Sequence, residues 1–107
     1  MELLDKIYIG KLIDIYGNLL TSKQLSALSG YCYNDLSLTE IAENEEITRQ
    51  AAYDLVLKAK NSLEKYESVV GKYEMLERVK KELGSILETT KDESVLKRIN
   101  KIIENLE

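Results

Sequence analysis

At 107 residues and a net charge of −4, the chain fits a single domain large enough to fold without metal or disulfide staples. Proline, tryptophan, phenylalanine and histidine are absent and glycine occurs five times, while Leu, Glu and Lys abound; this composition reads as all-α and removes the usual general base near neutral pH. Residues 1–36 sum to −1, 37–68 to −3 and 69–107 to zero, so no segment is strongly basic and any nucleic-acid footprint has to be local.

Six helices are predicted. The first spans about Glu2 to Tyr16, with Leu4, Tyr8, Leu12, Ile15 and Leu19 recurring at steps of four and three on one face. Gly17-Asn18 signals its C-cap. Thr21 is the N-cap of the second helix, whose inner face is Leu25 and Leu28 with Cys32 one turn further on. Tyr33-Asn34-Asp35 then reads as a loop.

The third helix has the clearest start. Ser37-Leu38-Thr39-Glu40 is a capping box, in which the Ser37 hydroxyl accepts from the Glu40 N–H and the Glu40 carboxylate from the Ser37 N–H. Leu38, Ile41 and Ala42 form its apolar face. Its end is expected near Asn44, whose side chain tolerates a left-handed conformation. Thr48 caps the fourth helix, which runs to about Glu67 and turns Ala52, Leu55, Val56, Ala59 and Leu63 inward. Ser68 to Gly71 reads as a bend with a glycine stop. The fifth helix covers about Lys72 to Glu88 with Leu76, Val79, Leu83, Ile86 and Leu87. The sixth, about Asp92 to Leu106, places Val95, Ile99, Ile102 and Leu106 at steps of four, three and four, a heptad seam.

Leu38 to Ala59 has the form of a helix-turn-helix. That motif needs a short first helix, a tight turn and a second helix crossing steeply, with small residues where the two touch. Ala42 is the small contact, Ile47 plugs the turn, and Ala52 and Leu55 face back toward Leu38 and Ile41. Two positions depart from the pattern. Glu45 stands where an apolar residue packs, and Glu46 where the turn favours Gly or Asn in a left-handed conformation; both acids oppose a DNA backbone in the usual docking mode. The exposed start of the fourth helix carries Arg49, Gln50, Tyr53 and Asp54. Arg and Gln have the shape for bidentate contact with guanine and adenine edges. Thr48 and the helix N-terminus can meet a phosphate, and Lys58 and Lys60 the backbone further along. The competing reading is a solvated helix surface in a fold reused for protein contact.

Leu19-Leu20-Thr21-Ser22-Lys23-Gln24, Tyr31, Tyr33, Leu36 to Glu43 and Ile47 to Asp54 together resemble the YlxM family, bacterial helix-turn-helix proteins associated with signal recognition particle genes. The resemblance is close over about Leu12 to Tyr66, and the run Thr48-Arg49-Gln50-Ala51-Ala52-Tyr53-Asp54 is its most specific part. The same region is more distantly similar to the C-terminal DNA-binding region of bacterial sigma factors. The resemblance implies a helix-turn-helix core, a regulatory role connected with the signal recognition particle, and recognition residues at Thr48, Arg49, Gln50, Tyr53 and Asp54. Relatives tend to have an apolar residue and then Asn or Gly where this chain has Glu45 and Glu46.

Other chemistries find little footing. No nucleophile-and-base arrangement or phosphate loop is visible, and Glu45-Glu46 and Asp92-Glu93 sit where they favour helix starts; no enzyme activity, cofactor or metal is expected. Cys32 is the single cysteine, which excludes an internal disulfide and suits a reducing cytoplasm; it reads as a small buried hydrophobe. No signal peptide, membrane-spanning run or lysine-rich amphipathic face is found. The expected organisation is an all-α fold: a helical domain over 1–68 holding the helix-turn-helix at about 37–67, and a C-terminal helical hairpin over 69–107 packed on the same core. The heptad seam of the hairpin predicts a homodimer. Expected partners are duplex DNA or, alternatively, the signal recognition particle protein, its RNA or its receptor, contacted by an adaptor that binds no DNA.

Overall fold

A computed structural model of the chain describes residues 5–107. Its elements are α1 (Lys6–Tyr16), a 3-10 turn (Gly17–Leu19), α2 (Ser22–Cys32), α3 (Leu38–Glu45), α4 (Arg49–Val70), α5 (Lys72–Thr89) and α6 (Glu93–Leu106), and no strand occurs among the described residues. Two compact units divide at Gly71. Glu2 and Leu4 of the predicted first helix lie outside the described residues.

The first unit contains α1 to α4. Asp5 caps α1, its Oδ1 accepting from the Ile7 and Tyr8 N–H groups at 3.1 Å each. The buried face of α1 is Ile9, Leu12, Ile13 and Tyr16. This corrects the predicted stripe: Leu12 is on it, but Tyr8 and Ile15 are half-buried and Leu19 is 61% exposed. The helix is apolar around most of its circumference, so periodicity alone permits several stripes, and α1 packs against both α2 and α4, which decides between them. Gly17 caps it in a right-handed conformation and the chain tightens into the 3-10 turn instead of reversing.

Thr21 and Gln24 form a capping box at the start of α2, the Thr21 hydroxyl accepting from the Gln24 N–H and the Gln24 amide oxygen from the Thr21 N–H. The buried face of α2 is Ala27, Leu28, Gly30 and Tyr31, one step round from the expected Leu25 and Cys32, which are half-buried. Burial pushes the Cys32 thiol up to about 11, and the Lys6 charge opposes this only in part. Just after α2, Tyr33 lays its ring over Gly10, where a Cβ would approach the ring to 3.1 Å. The Tyr33 hydroxyl lies 2.6 Å from the Gly10 carbonyl oxygen and 2.5 Å from Asp14 Oδ1, so one proton serves two acceptors. Asp35, at φ 56°, pairs with Lys6 at 2.7 Å, and the Lys6 ammonium also lies 4.5 Å from the centre of the Tyr31 ring.

The rod of the unit is α4, 22 residues long and so about 33 Å. It packs against α1, α2 and α3. Ala52, Val56, Ala59 and Leu63 have no exposed surface, as expected, while Leu55 is half-buried. Leu12, Leu28 and Leu63 are likewise fully buried, each contributing about 1.5–3 kcal/mol relative to an exposed position. Near its C-terminus the Glu67 carboxylate accepts from the Tyr16 hydroxyl at 2.7 Å, tying the end of α1 to that of α4. The bend expected over Ser68–Gly71 shrinks to one residue: α4 continues to Val70 and Gly71 stops it at φ 67°, a conformation in which a side chain is strained.

The second unit is a hairpin of α5 and α6 joined by Thr90 to Asp92, with Asp92 capping α6 through the Ser94 N–H at 2.9 Å. The two helices pack on each other. Ile99 is buried, and no residue of α5 is. Among the described residues no helix is long and apolar enough to cross a membrane.

Candidate functional site

The helix-turn-helix consists of α3, a three-residue turn and α4. Ser37 and Glu40 make the predicted capping box, with Ser37 Oγ accepting from the Glu40 N–H at 3.0 Å and Glu40 Oε1 from the Ser37 N–H at 3.1 Å. Ile41 and Ala42 are buried and Leu38 is half-buried. The helix ends one residue later than expected, at Glu45. The left-handed position is Glu46, at φ 56° and ψ 45°, and not Asn44. The Ile47 N–H donates to the Ala42 carbonyl at 2.9 Å and the Glu46 N–H to the Glu43 carbonyl at 3.3 Å. This is the six-to-one and five-to-two pair of a Schellman motif, which fixes the residue after the helix as the left-handed one. Asn44 lies inside the last turn, so its tolerance for that conformation is not used. Ile47, half-buried, follows at the position where such a motif carries an apolar residue.

Thr48 then caps α4, its hydroxyl oxygen accepting from the Ala51 N–H at 3.0 Å. Arg49, Gln50, Asp54 and Lys58 are exposed; Tyr53 and Lys60 are half-buried. With about 3.6 residues per turn, these six fall on two adjoining stripes. Gln50, Asp54 and Lys58 point directly away from the buried Ala52–Leu63 stripe, whereas Arg49, Tyr53 and Lys60 flank it on one side. Arg49 to Lys58 covers about 14 Å of the axis, similar to the ~12 Å width of a DNA major groove.

Some of these side chains already have partners. The Gln50 amide donates to Asp54 Oδ1 at 3.1 Å, and Lys60 pairs with Glu64 at 2.8 Å. Asp54 thereby holds Gln50 in a fixed orientation, and Lys60 is the least available of the set. Arg49, Tyr53 and Lys58 make no side-chain hydrogen bond or ion pair among the described residues. The acids of α3 and the turn, Glu40, Glu43, Glu45 and Glu46, outnumber this small basic set and have no base among them. Glu45 is half-buried and accepts from Ser26 Oγ of α2 at 3.2 Å. The place where an apolar residue was expected is therefore filled by a carboxylate reaching across to a neighbouring helix. A serine six residues before Cys32 gives no hint of that in the sequence.

No group of three or more metal-ligating side chains occurs among the described residues. Of the seam Val95, Ile99, Ile102 and Leu106, Ile99 is buried, Val95 and Leu106 are half-buried and Ile102 alone is exposed.

Comparison with known proteins agrees with this geometry. Residues 3–107 match the UPF0122 family, described as "Putative helix-turn-helix protein, YlxM / p13 like". The chain is 53% identical over 68 residues to a UPF0122 protein of Malacoplasma penetrans, covering 64% of each chain. It is 38% identical over 100 residues to one from Fusobacterium nucleatum, covering 94% of this chain and 93% of the relative. A third, from Clostridium acetobutylicum, is 37% identical over 106 residues, with 96% and 91% covered. The resemblance carried by Leu36–Glu43 and Ile47–Asp54 thus extends along nearly the whole sequence, and the chain belongs to the UPF0122 family of YlxM/p13-like helix-turn-helix proteins.

Proposed function

We infer that the chain is a DNA-binding helix-turn-helix regulator, non-enzymatic, that reads duplex DNA with the first turns of α4. The observation that carries this reading is the exposed Arg49–Gln50 pair directly after the Thr48 cap, at the start of a helix whose Ala52–Val56–Ala59–Leu63 stripe is completely buried. Arg49 and Gln50 reach base edges and Tyr53 lies beside them. Thr48, with a hydroxyl proton still to donate, and Lys58 meet phosphates, and Asp54 positions Gln50. Lys60 contributes after giving up Glu64. A role in the signal recognition particle pathway, in the cytoplasm, is part of the same reading and rests on the family resemblance.

A specific observation favours a second reading. The α3 helix and the turn carry four acids and no base, on the element that crosses the phosphate backbone in ordinary helix-turn-helix docking. An adaptor contacting the signal recognition particle protein or its receptor through basic side chains of that partner would meet no such repulsion, whereas the particle's RNA would repel these acids as DNA does.

Fluorescence anisotropy with random duplex DNA, at low and moderate salt, separates the two. A reader binds at low salt and weakens with a log–log slope of about −3 for three or four phosphates. Arg49→Ala then lowers affinity by about 1–3 kcal/mol without moving Tm, because the side chain is exposed. A folded protein that does not bind at low salt refutes the DNA reader and leaves the adaptor.

A further inference from the structure

We propose that the α5–α6 hairpin is a self-association surface, on which a second copy of this chain packs α5 antiparallel against α5. The inference does not depend on DNA binding.

The hairpin has fewer than about 40 residues, the size below which chains usually need a staple or a partner, and its own helices do not use up its apolar side chains. On α5, Leu76, Leu83 and Leu87 are half-buried, while Met75, Val79 and Ile86 are 53, 38 and 44% exposed. These three form a separate stripe at steps of four and seven, a little under a quarter of a turn from the half-buried one. On α6, Ile102 is 46% exposed. Both helices are right-handed and run antiparallel, and counting residues from the connection puts Ile102 on the same side of the hairpin as the α5 stripe, level with Val79. Val95 falls level with Ile86. The result is one continuous apolar face of five side chains, Met75, Val79, Ile86, Val95 and Ile102. The full heptad seam of α6 cannot form this face, because Ile99 is buried.

Charge identifies the occupant as a second copy. The outer edge of the stripe carries Arg78 and Glu82. In a two-fold antiparallel pairing centred between Lys80 and Lys81, Met75 of one copy lies opposite Ile86 of the other. The same operation brings Arg78 of each copy beside Glu82 of the other, on the same flank. The surface is therefore complementary to itself in sign along this flank and in hydrophobicity at the two Met75–Ile86 pairs, while Val79 lies level with the aliphatic stem of Glu82 of the other copy. Arg78 is free to exchange: its present partner is Glu74 at 3.3 Å, with the two side chains 70 and 75% exposed, a weak pairing. The seam expected on α6 alone becomes a seam on α5, to which α6 adds Ile102 and Val95.

Sedimentation equilibrium of the full chain tests this. The expected mass is twice 12.2 kDa, and Ile86→Glu should give the monomer with unchanged helix content, since that side chain is exposed. Should Ile86→Glu fail to fold, charge exchange at two exposed positions decides. Arg78→Glu and Glu82→Arg should each weaken dimerisation by roughly tenfold through lost attraction and new repulsion, and the double exchange should restore it. A wild-type monomer at high micromolar concentration overturns the proposal. So does a dimer indifferent to both single exchanges, or one that the double exchange fails to restore.

Discussion

Replacing Glu46 by glycine should stabilise the protein, and the size of the gain follows from the turn. Glu46 sits at φ 56° and ψ 45° with an exposed side chain, and the Schellman hydrogen bonds from Glu46 and Ile47 hold it there. A residue with a Cβ pays about 1–2 kcal/mol in this conformation. Glycine removes that strain but loses about 0.4–1 kcal/mol through its freer unfolded chain. The net gain is about 0.5–1 kcal/mol, or a rise in Tm of about 2–8 °C for a unit of this size. Glu46→Ala is the control, because it removes the same charge beside Glu43 and Glu45 but keeps the Cβ. Thermal melts followed by circular dichroism, with all three proteins at one concentration, give the comparison. The strain argument predicts that glycine exceeds alanine; equal melting temperatures for the two variants would refute it and assign any gain to charge.

Three other outcomes are expected. Ala52→Leu should cost about 1–3 kcal/mol by overpacking a position with no exposed surface on the helix that packs against α3, and a melt no lower than wild type contradicts that packing. Burial first, then the hydrogen bond to Asp14 and its charge, hold the Tyr33 hydroxyl well above the usual tyrosine range. Its contribution to stability is therefore complete below about pH 10, where unfolded tyrosine begins to ionise, and is lost as pH rises further; Tyr33→Phe should flatten this alkaline loss in urea melts, and an unchanged limb argues against the assignment. Cys32, raised from 9.0 to about 11 by burial, should react with a disulfide reagent at neutral pH roughly 100-fold more slowly than a small free thiol, and a rate near that of the free thiol contradicts the burial.

Much of the reading end was legible because its signals are local. Ser37 with Glu40, and Thr48 before Arg49, announce two helix starts by side-chain chemistry alone. The buried Ala52, Val56, Ala59 and Leu63 follow from a stripe with polar neighbours on the other side. What escaped depends on tertiary choice. In α1, Ile9, Ile13 and Tyr16 compete with Tyr8 and Ile15 on nearly equal terms, and only the simultaneous packing on α2 and α4 selects among them. Side-chain preference for the left-handed conformation favours Asn44, whereas the hydrogen bonds of the turn place it at Glu46. Glu45 breaks the apolar pattern of α3 and pairs with Ser26, one helix back in the chain. On α6 the heptad steps are real, but they serve the hairpin interior as well as its surface.

Helix caps also bear on how quickly the molecule folds. Asp5, Thr21, Ser37, Thr48 and Asp92 each accept a hydrogen bond from a backbone N–H two or three residues ahead, so five starts are specified by contacts that close almost no loop. Contacts of such short range favour folding in microseconds to milliseconds. Without proline, the chain also lacks the isomerisation that slows many proteins to tens of seconds. Stopped-flow refolding should therefore be a single fast phase for each chain, and any slower step should depend on protein concentration, as the meeting of two chains does.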